Sequence, residues 1–194
     1  MQKLTELARE GTPRSWVIAL VGGLFLFSHL TLQTLINTSL ISPSMTLVCR
    51  GISSTLYVVA IVSFFLFWRM RKPVIALLFL AFGVIGTICY QFEVVTQYQD
   101  VQNFATADLP RRYSQVILPT AVALEGLLCW KDRRIPSLLG VFFWLYAASW
   151  YLLFWSNGVV FLQINFAFLS DAFAFLAEGG LCLWMLLLGL SRMR

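Results

Sequence analysis

The 194-residue sequence predicts an all-α polytopic membrane protein with six transmembrane helices and both termini in the cytoplasm. Three observations lead there. The composition is 59% hydrophobic and only 12% charged, with a mean hydropathy of +0.80, whereas soluble domains carry about 25% charged residues. The apolar residues form six runs long enough to cross hydrocarbon, which takes about 20 residues each. All of the fourteen Lys and Arg residues except Arg50, Arg111 and Arg112 lie in the N-terminal tail, in every second gap between runs, or in the C-terminal tail. Lys and Arg beside short loops stay cytoplasmic during insertion, so this alternation orients the chain.

Each element follows from its local sequence. Lys3, Arg9 and Arg14 precede the run 16–36, which is longer than a signal-peptide core and lacks a small-x-small cleavage site, so it reads as the first spanning helix. Asn37-Thr38-Ser39 and Pro43 turn the chain outside, and the second helix covers 46–68. Arg69-Met70-Arg71-Lys72 makes an inner turn, and Pro73 suits the first turn of the third helix, 73–95, where its missing N–H costs nothing. The polar stretch 96–112 is expected as an outer loop ending near Pro110. The fourth helix, 113–130, contains Pro119, which kinks it unless neighbours satisfy the freed carbonyl. Lys131-Asp132-Arg133-Arg134 forms the next inner turn, and Pro136 opens the fifth helix, 136–155. The last apolar stretch exceeds one span. It divides into an outer interfacial segment, 159–168, and a sixth helix, 169–190. The six spans leave no room for a separate soluble domain, so residues 1–194 form one membrane domain.

The formal charge of +5 follows from orientation and contact with anionic lipid, and no aromatic-basic patch suggests nucleic acid. Cys49, Cys89, Cys129 and Cys182 fall in four different helices without a C-x-x-C, so they read as small apolar residues rather than a metal or redox site. No cofactor is expected. Trp68 to Pro73 resembles Trp130 to Pro136, but an interfacial Trp, a basic turn and a helix-starting Pro are common to many inner turns.

Ionisable groups within the spans carry the functional signal, because a charge at the bilayer centre costs at least about 2.5–3.5 kcal/mol. Glu178 is the deepest. It precedes Arg192 by fourteen residues, which at 1.5 Å per residue places it about 20 Å from the inner surface. Asp171 lies seven residues earlier, nearly two turns, so the two acids are expected on one face, with Ala167 and Ala174 on the stripe and Gly179-Gly180 beside it. Such a pair suits a proton or cation relay; the alternative is a protonated Glu178 bonded to a neighbouring helix. Glu125 lies six residues before Lys131 and is expected to snorkel or pair with the basic turn. His29, the only histidine, shares a face with Gln33 and Asn37 and could pass a proton to Asp171. Arg50 and Glu93, at the outer ends of their helices, are expected to form a structural ion pair.

No H-E-x-x-H, G-x-S-x-G or phosphate-loop pattern is present, which argues against the common enzymatic chemistries. Arg134-Ile135-Pro136-Ser137-Leu138-Leu139-Gly140 and the segment from Glu178 through Trp184 to Gly189 resemble a family of six-helix bacterial integral membrane proteins, a domain of unknown function. The resemblance implies the topology and an interest in Glu178. Three functions fit: an oligomeric permease or channel for a proton, ion or small solute; a non-catalytic subunit of a membrane complex; or an intramembrane lipid-binding protein or enzyme. The expected partners are the lipid bilayer and either further copies of the chain or another subunit. The bacterial plasma membrane is the expected location.

Overall fold

The computed structural model describes residues 13–38, 40–99, 104–155 and 160–191. All regular structure among them is helical: α1 (Pro13–Asn37), α2 (Pro43–Trp68), α3 (Pro73–Gln99), α4 (Phe104–Lys131), α5 (Ser137–Trp155), α6 (Val160–Ala174), a π-helical turn (Phe175–Gly179) and α7 (Gly180–Leu190). The last three elements follow one another without a break. Five stretches are long and apolar enough to cross a membrane: Ser15–Asn37, Met45–Trp68, Pro73–Phe92, Ser137–Phe154 and Phe168–Leu190. The fold is thus that of a helical membrane protein. The helix α4 is as long as the others but more polar, and it is not among the five.

The stretch 96–112, expected as a loop, is helical on both sides, since α3 runs on to Gln99 and α4 starts at Phe104. The physical reason is that extending a helix satisfies backbone N–H and C=O groups that a loop leaves open. Pro119 sits inside a continuous α4, where it cannot donate to the carbonyl of Gln115. One residue on, the Val116 carbonyl accepts from Thr120 Oγ1 at 2.7 Å and from the Tyr151 hydroxyl of α5 at 3.3 Å, which ties the weakened turn to the neighbouring helix. Pro43 and Pro73 each stand at the first position of a helix.

The helices form a ring. Each packs against its neighbours in sequence, and α7 returns to α1. The turns 69–72 and 132–136, the start of α1 and the end of α7 share one end of the bundle, called here the basic end. The outward face is apolar: Val17, Leu24, Phe27, Ile52, Leu77 and Leu183 are all exposed. Exposed Ser28, Thr31, Thr34 and Thr55 each bond to the carbonyl four residues back in their own helix, so their hydroxyls need no outside partner. Polar residues are buried instead, among them His29, Ser53, Ser54, Ser63, Thr87, Ser114, Glu125, Ser149 and Glu178.

Close approach between α4 and α5 depends on two glycines. A Cβ on Gly140 would lie 2.7 Å from the Gly126 carbonyl and 2.9 Å from the Trp130 backbone nitrogen, and neither backbone atom can yield cheaply. Gly140→Ala should therefore lower stability by about 1–3 kcal/mol, the usual cost of overpacking. Gly51, within α2, has open space around the same position, so Gly51→Ala should be neutral or stabilising by up to about 1 kcal/mol. Thermal unfolding of both variants in one detergent checks the contrast, and equal effects would contradict it.

Candidate functional site

The ring brings Glu125 of α4 and Glu178 of the π turn together. Both are buried, at 3% and 7% exposure, and they lie within electrostatic reach of each other. Neither carboxyl has a hydrogen bond or an ion pair among the described residues. Packing beside the acids explains their opposition. Gly126 follows Glu125 and meets Gly140 and Trp144 of α5, while Gly180, two residues after Glu178, meets Leu139 of α5. The start of α5 is thus wedged against both acid-bearing helices at nearly the same level.

Aromatic and imidazole groups extend this interior. Tyr57 of α2 lies within electrostatic reach of Glu178, Glu125 and Tyr146. Tyr146 of α5 likewise senses Glu178, Asp171, Tyr90 and Glu125. The His29 ring lies 4.7 Å from the Tyr57 ring at a 30° tilt. Its Nδ1 lies 2.9 Å from both the carbonyl oxygen and Oγ of Ser53. Away from the basic end, Arg50 Nη1 donates to the Tyr90 hydroxyl at 3.1 Å. The Gln91 amide donates to the Arg50 carbonyl at 3.2 Å and also to Ser54 Oγ. Polar groups therefore run from Arg50 and Tyr90, past Tyr146, to the acid pair.

Several expectations change. Asp171 and Glu178 differ in environment, since Asp171 is exposed and Glu178 buried. Glu178 lies within the π turn, which departs from the regular 3.6-residue repeat on which a seven-residue spacing relies. Glu125 does not snorkel to the basic turn. Its side chain is enclosed by the ring, where Glu178 is its charged neighbour. His29 is held by Ser53 and Tyr57, and among the described residues nothing joins it to Asp171. On its face Gln33 is half-buried and Asn37 exposed. Arg50 reaches Tyr90, whereas the Glu93 side chain lies outside the described residues. Cys49, Cys89, Cys129 and Cys182 are free thiols, and the described residues hold no cluster of three or more His, Cys, Asp or Glu able to bind a metal.

At the basic end, the sequence reading missed a buried clamp. Asp132 and Arg134 are 4% and 2% exposed. Arg134 Nη2 lies 2.6 Å from Asp132 Oδ2, Arg134 Nε donates to Asp132 Oδ1 at 3.0 Å, and the Arg134 backbone N–H donates to the same oxygen at 3.0 Å. Arg71 Nη1 lies 3.8 Å from Asp132 Oδ1. The guanidinium sits 3.9 Å over the Phe67 ring, and the Trp184 indole donates to the Arg134 carbonyl at 2.8 Å. One turn thus ties together α2, the 69–72 turn and α7. The available signal was an acid alone within a basic run, two residues before Arg134. The first inner turn has no equivalent: Trp68 is fully buried while Trp130 is exposed, so the two turns are alike in sequence but not in packing.

Comparison with models of known protein families, with curated proteins and with solved structures finds no match. The site is therefore interpreted from its own geometry.

Burial opposes ionisation of Asp132, but the hydrogen bonds and charge of Arg134, helped by Arg71, outweigh it and hold the carboxyl below its ordinary value of 3.8. Its folded value is the lower one, so the clamp's stabilisation is whole above 3.8 and is lost as the pH falls through the folded value. Asp132→Asn leaves Arg134 buried without its anion and should cost about 3–5 kcal/mol near neutral pH. Unfolding followed from pH 7 downward checks this: the difference between wild type and variant should shrink in acid, and a constant difference would contradict it.

Proposed function

We propose that this chain is a six-span permease or channel-like membrane protein that moves a proton or small cation past Glu125 and Glu178. The observation that carries the reading is the acid pair: two buried carboxyls on different helices, mutually in reach, without a basic partner among the described residues. Burying two negative charges side by side is costly unless a proton or a cation accompanies them. A structural role would be served more cheaply by apolar residues of similar volume. The π turn carrying Glu178 adds support, since such turns occur often at functional sites.

Tyr57, Tyr146 and the His29–Ser53 pair supply polar groups along the same interior, and the Arg50–Tyr90–Gln91 network leads away from the basic end. In this reading α4 is the sixth span. It packs between α3 and α5 and turns Glu125 inward, and its lower apolar content comes mainly from its first part, with Asp108, Arg111 and Arg112. The basic end faces the cytoplasm by the positive-inside rule, and the plasma membrane of a bacterium is the proposed location. The polar interior belongs to a single chain, so any homo-oligomer would repeat the pathway rather than complete it.

The test is flux in proteoliposomes under an imposed pH or sodium gradient. Glu178→Gln and Glu125→Gln should each lower flux at least about tenfold, the effect of 1.4 kcal/mol on a rate, while the protein still inserts and unfolds cooperatively. Asp171→Asn should retain most of the flux. Unchanged flux in both Glu variants would refute the assignment.

A further inference from the structure

We propose that the basic end holds one anionic phospholipid at the seam between α3 and α4, its phosphate bound by Lys72 and Lys131 and its acyl chains lying against Val74, Leu77 and Trp130. The inference rests on the membrane-spanning reading but not on the acid pair.

The argument begins with a charge imbalance. Asp132 is turned inward and engaged by Arg134 and Arg71. Lys72 and Lys131 form no ion pair among the described residues. They stand close enough for their charges to interact, and Lys72 also feels Arg71 and Arg134. Partial burial disfavours the charged form of Lys72; the attraction of Asp132 is the next influence and opposes this, while Lys131, Arg134 and Arg71 each repel it and leave the charged form disfavoured. An anion placed between the two lysines would remove the repulsion. The long helix α3 starts at Pro73, directly after Lys72, so its positive pole adds to the same field.

The surroundings select a lipid over a soluble anion. Val74 and Leu77 on the first turns of α3 are exposed, as is Trp130 beside Lys131. Trp130 lies against Trp144 of α5, which is also exposed, with ring centroids 5.3 Å apart. The Trp144 indole is engaged by the Ala123 carbonyl at 3.1 Å, which fixes this aromatic wall to α4. Cations therefore cap an outward apolar surface, the complement of a charged head on acyl chains. A membrane-interface tryptophan suits the boundary between them.

The full chain in detergent would be titrated separately with phosphatidylglycerol, phosphatidylcholine and inorganic phosphate, with bound species counted by native mass spectrometry. One phosphatidylglycerol should bind in preference to phosphatidylcholine. Lys72→Gln with Lys131→Gln should weaken it on the order of tenfold, since each cation near the surface contributes about 1 kcal/mol. Lys72→Arg with Lys131→Arg should preserve binding, which also controls for folding. Arg69→Gln with Arg133→Gln removes the same charge from exposed positions of the same two turns and should have a clearly smaller effect. Equal losses in the two Gln pairs would reduce the site to a diffuse field and overturn the proposal. Equal affinity for the two lipids, or displacement of phosphatidylglycerol by millimolar phosphate, would overturn it as well.

Discussion

The outward apolar face of the helices forces the polar chemistry of this chain into its interior. Hydrocarbon offers no hydrogen bonds, so each polar atom must be satisfied within its own helix or turned toward another. Hydroxyls on the outer face take the first course, bonding back to carbonyls four residues earlier. Larger and ionisable groups take the second. His29, Glu125 and Glu178 have no such local option, and all three are buried by the ring. Closure of α7 onto α1 is what gives them a common interior.

Within that interior, backbone geometry decides which groups meet. Glu178 sits in a π turn and is buried where Asp171 is exposed, and Gly126, Gly140 and Gly180 let α5 sit tightly beside both acid-bearing segments. A bulkier residue at Gly140 would press on backbone rather than on a movable side chain, so the spacing of the acids and the stability of the bundle depend on the same contact. The basic end shows the opposite solution. There Asp132 is buried together with its counter-ion Arg134; Arg71, Phe67 and Trp184 hold the pair, and the charge is compensated on the spot. The contrast between a compensated acid at one level and two uncompensated acids at another is what separates scaffold from proposed pathway.

Much of the architecture was legible from residue pattern alone, because a bilayer demands long apolar runs and those runs are visible by eye. The helix start at Pro73 was equally plain, since proline at a first turn has a local cause, whereas Pro43 read as part of the outer turn and instead opens α2. The site was less so. Glu178 stood out by depth, but its partner did not: the seven-residue spacing pointed to Asp171 on the assumption of a regular α-helix, and nothing in Phe175-Leu176-Ala177-Glu178-Gly179 announces a π turn. Glu125 was close to Lys131 along the chain, and only the tertiary packing shows that it faces inward. Tyr57 and Tyr146 carried no signal, because a tyrosine in a membrane helix has the same appearance whether it faces lipid or the interior. Asp132 was hidden by its basic neighbours, whose number suggested orientation rather than a buried pair.

The most direct test of this account asks whether Glu125 and Glu178 titrate as one unit. Infrared difference spectra of the carboxyl band, recorded across pH in nanodiscs for wild type, Glu125→Gln and Glu178→Gln, would answer it. Coupled acids lose their protons in steps that belong to the pair, so removing either glutamate should displace the titration of the other. If each glutamate titrates at the same pH with and without its partner, the two do not share an interior, and the proposed pathway falls with them.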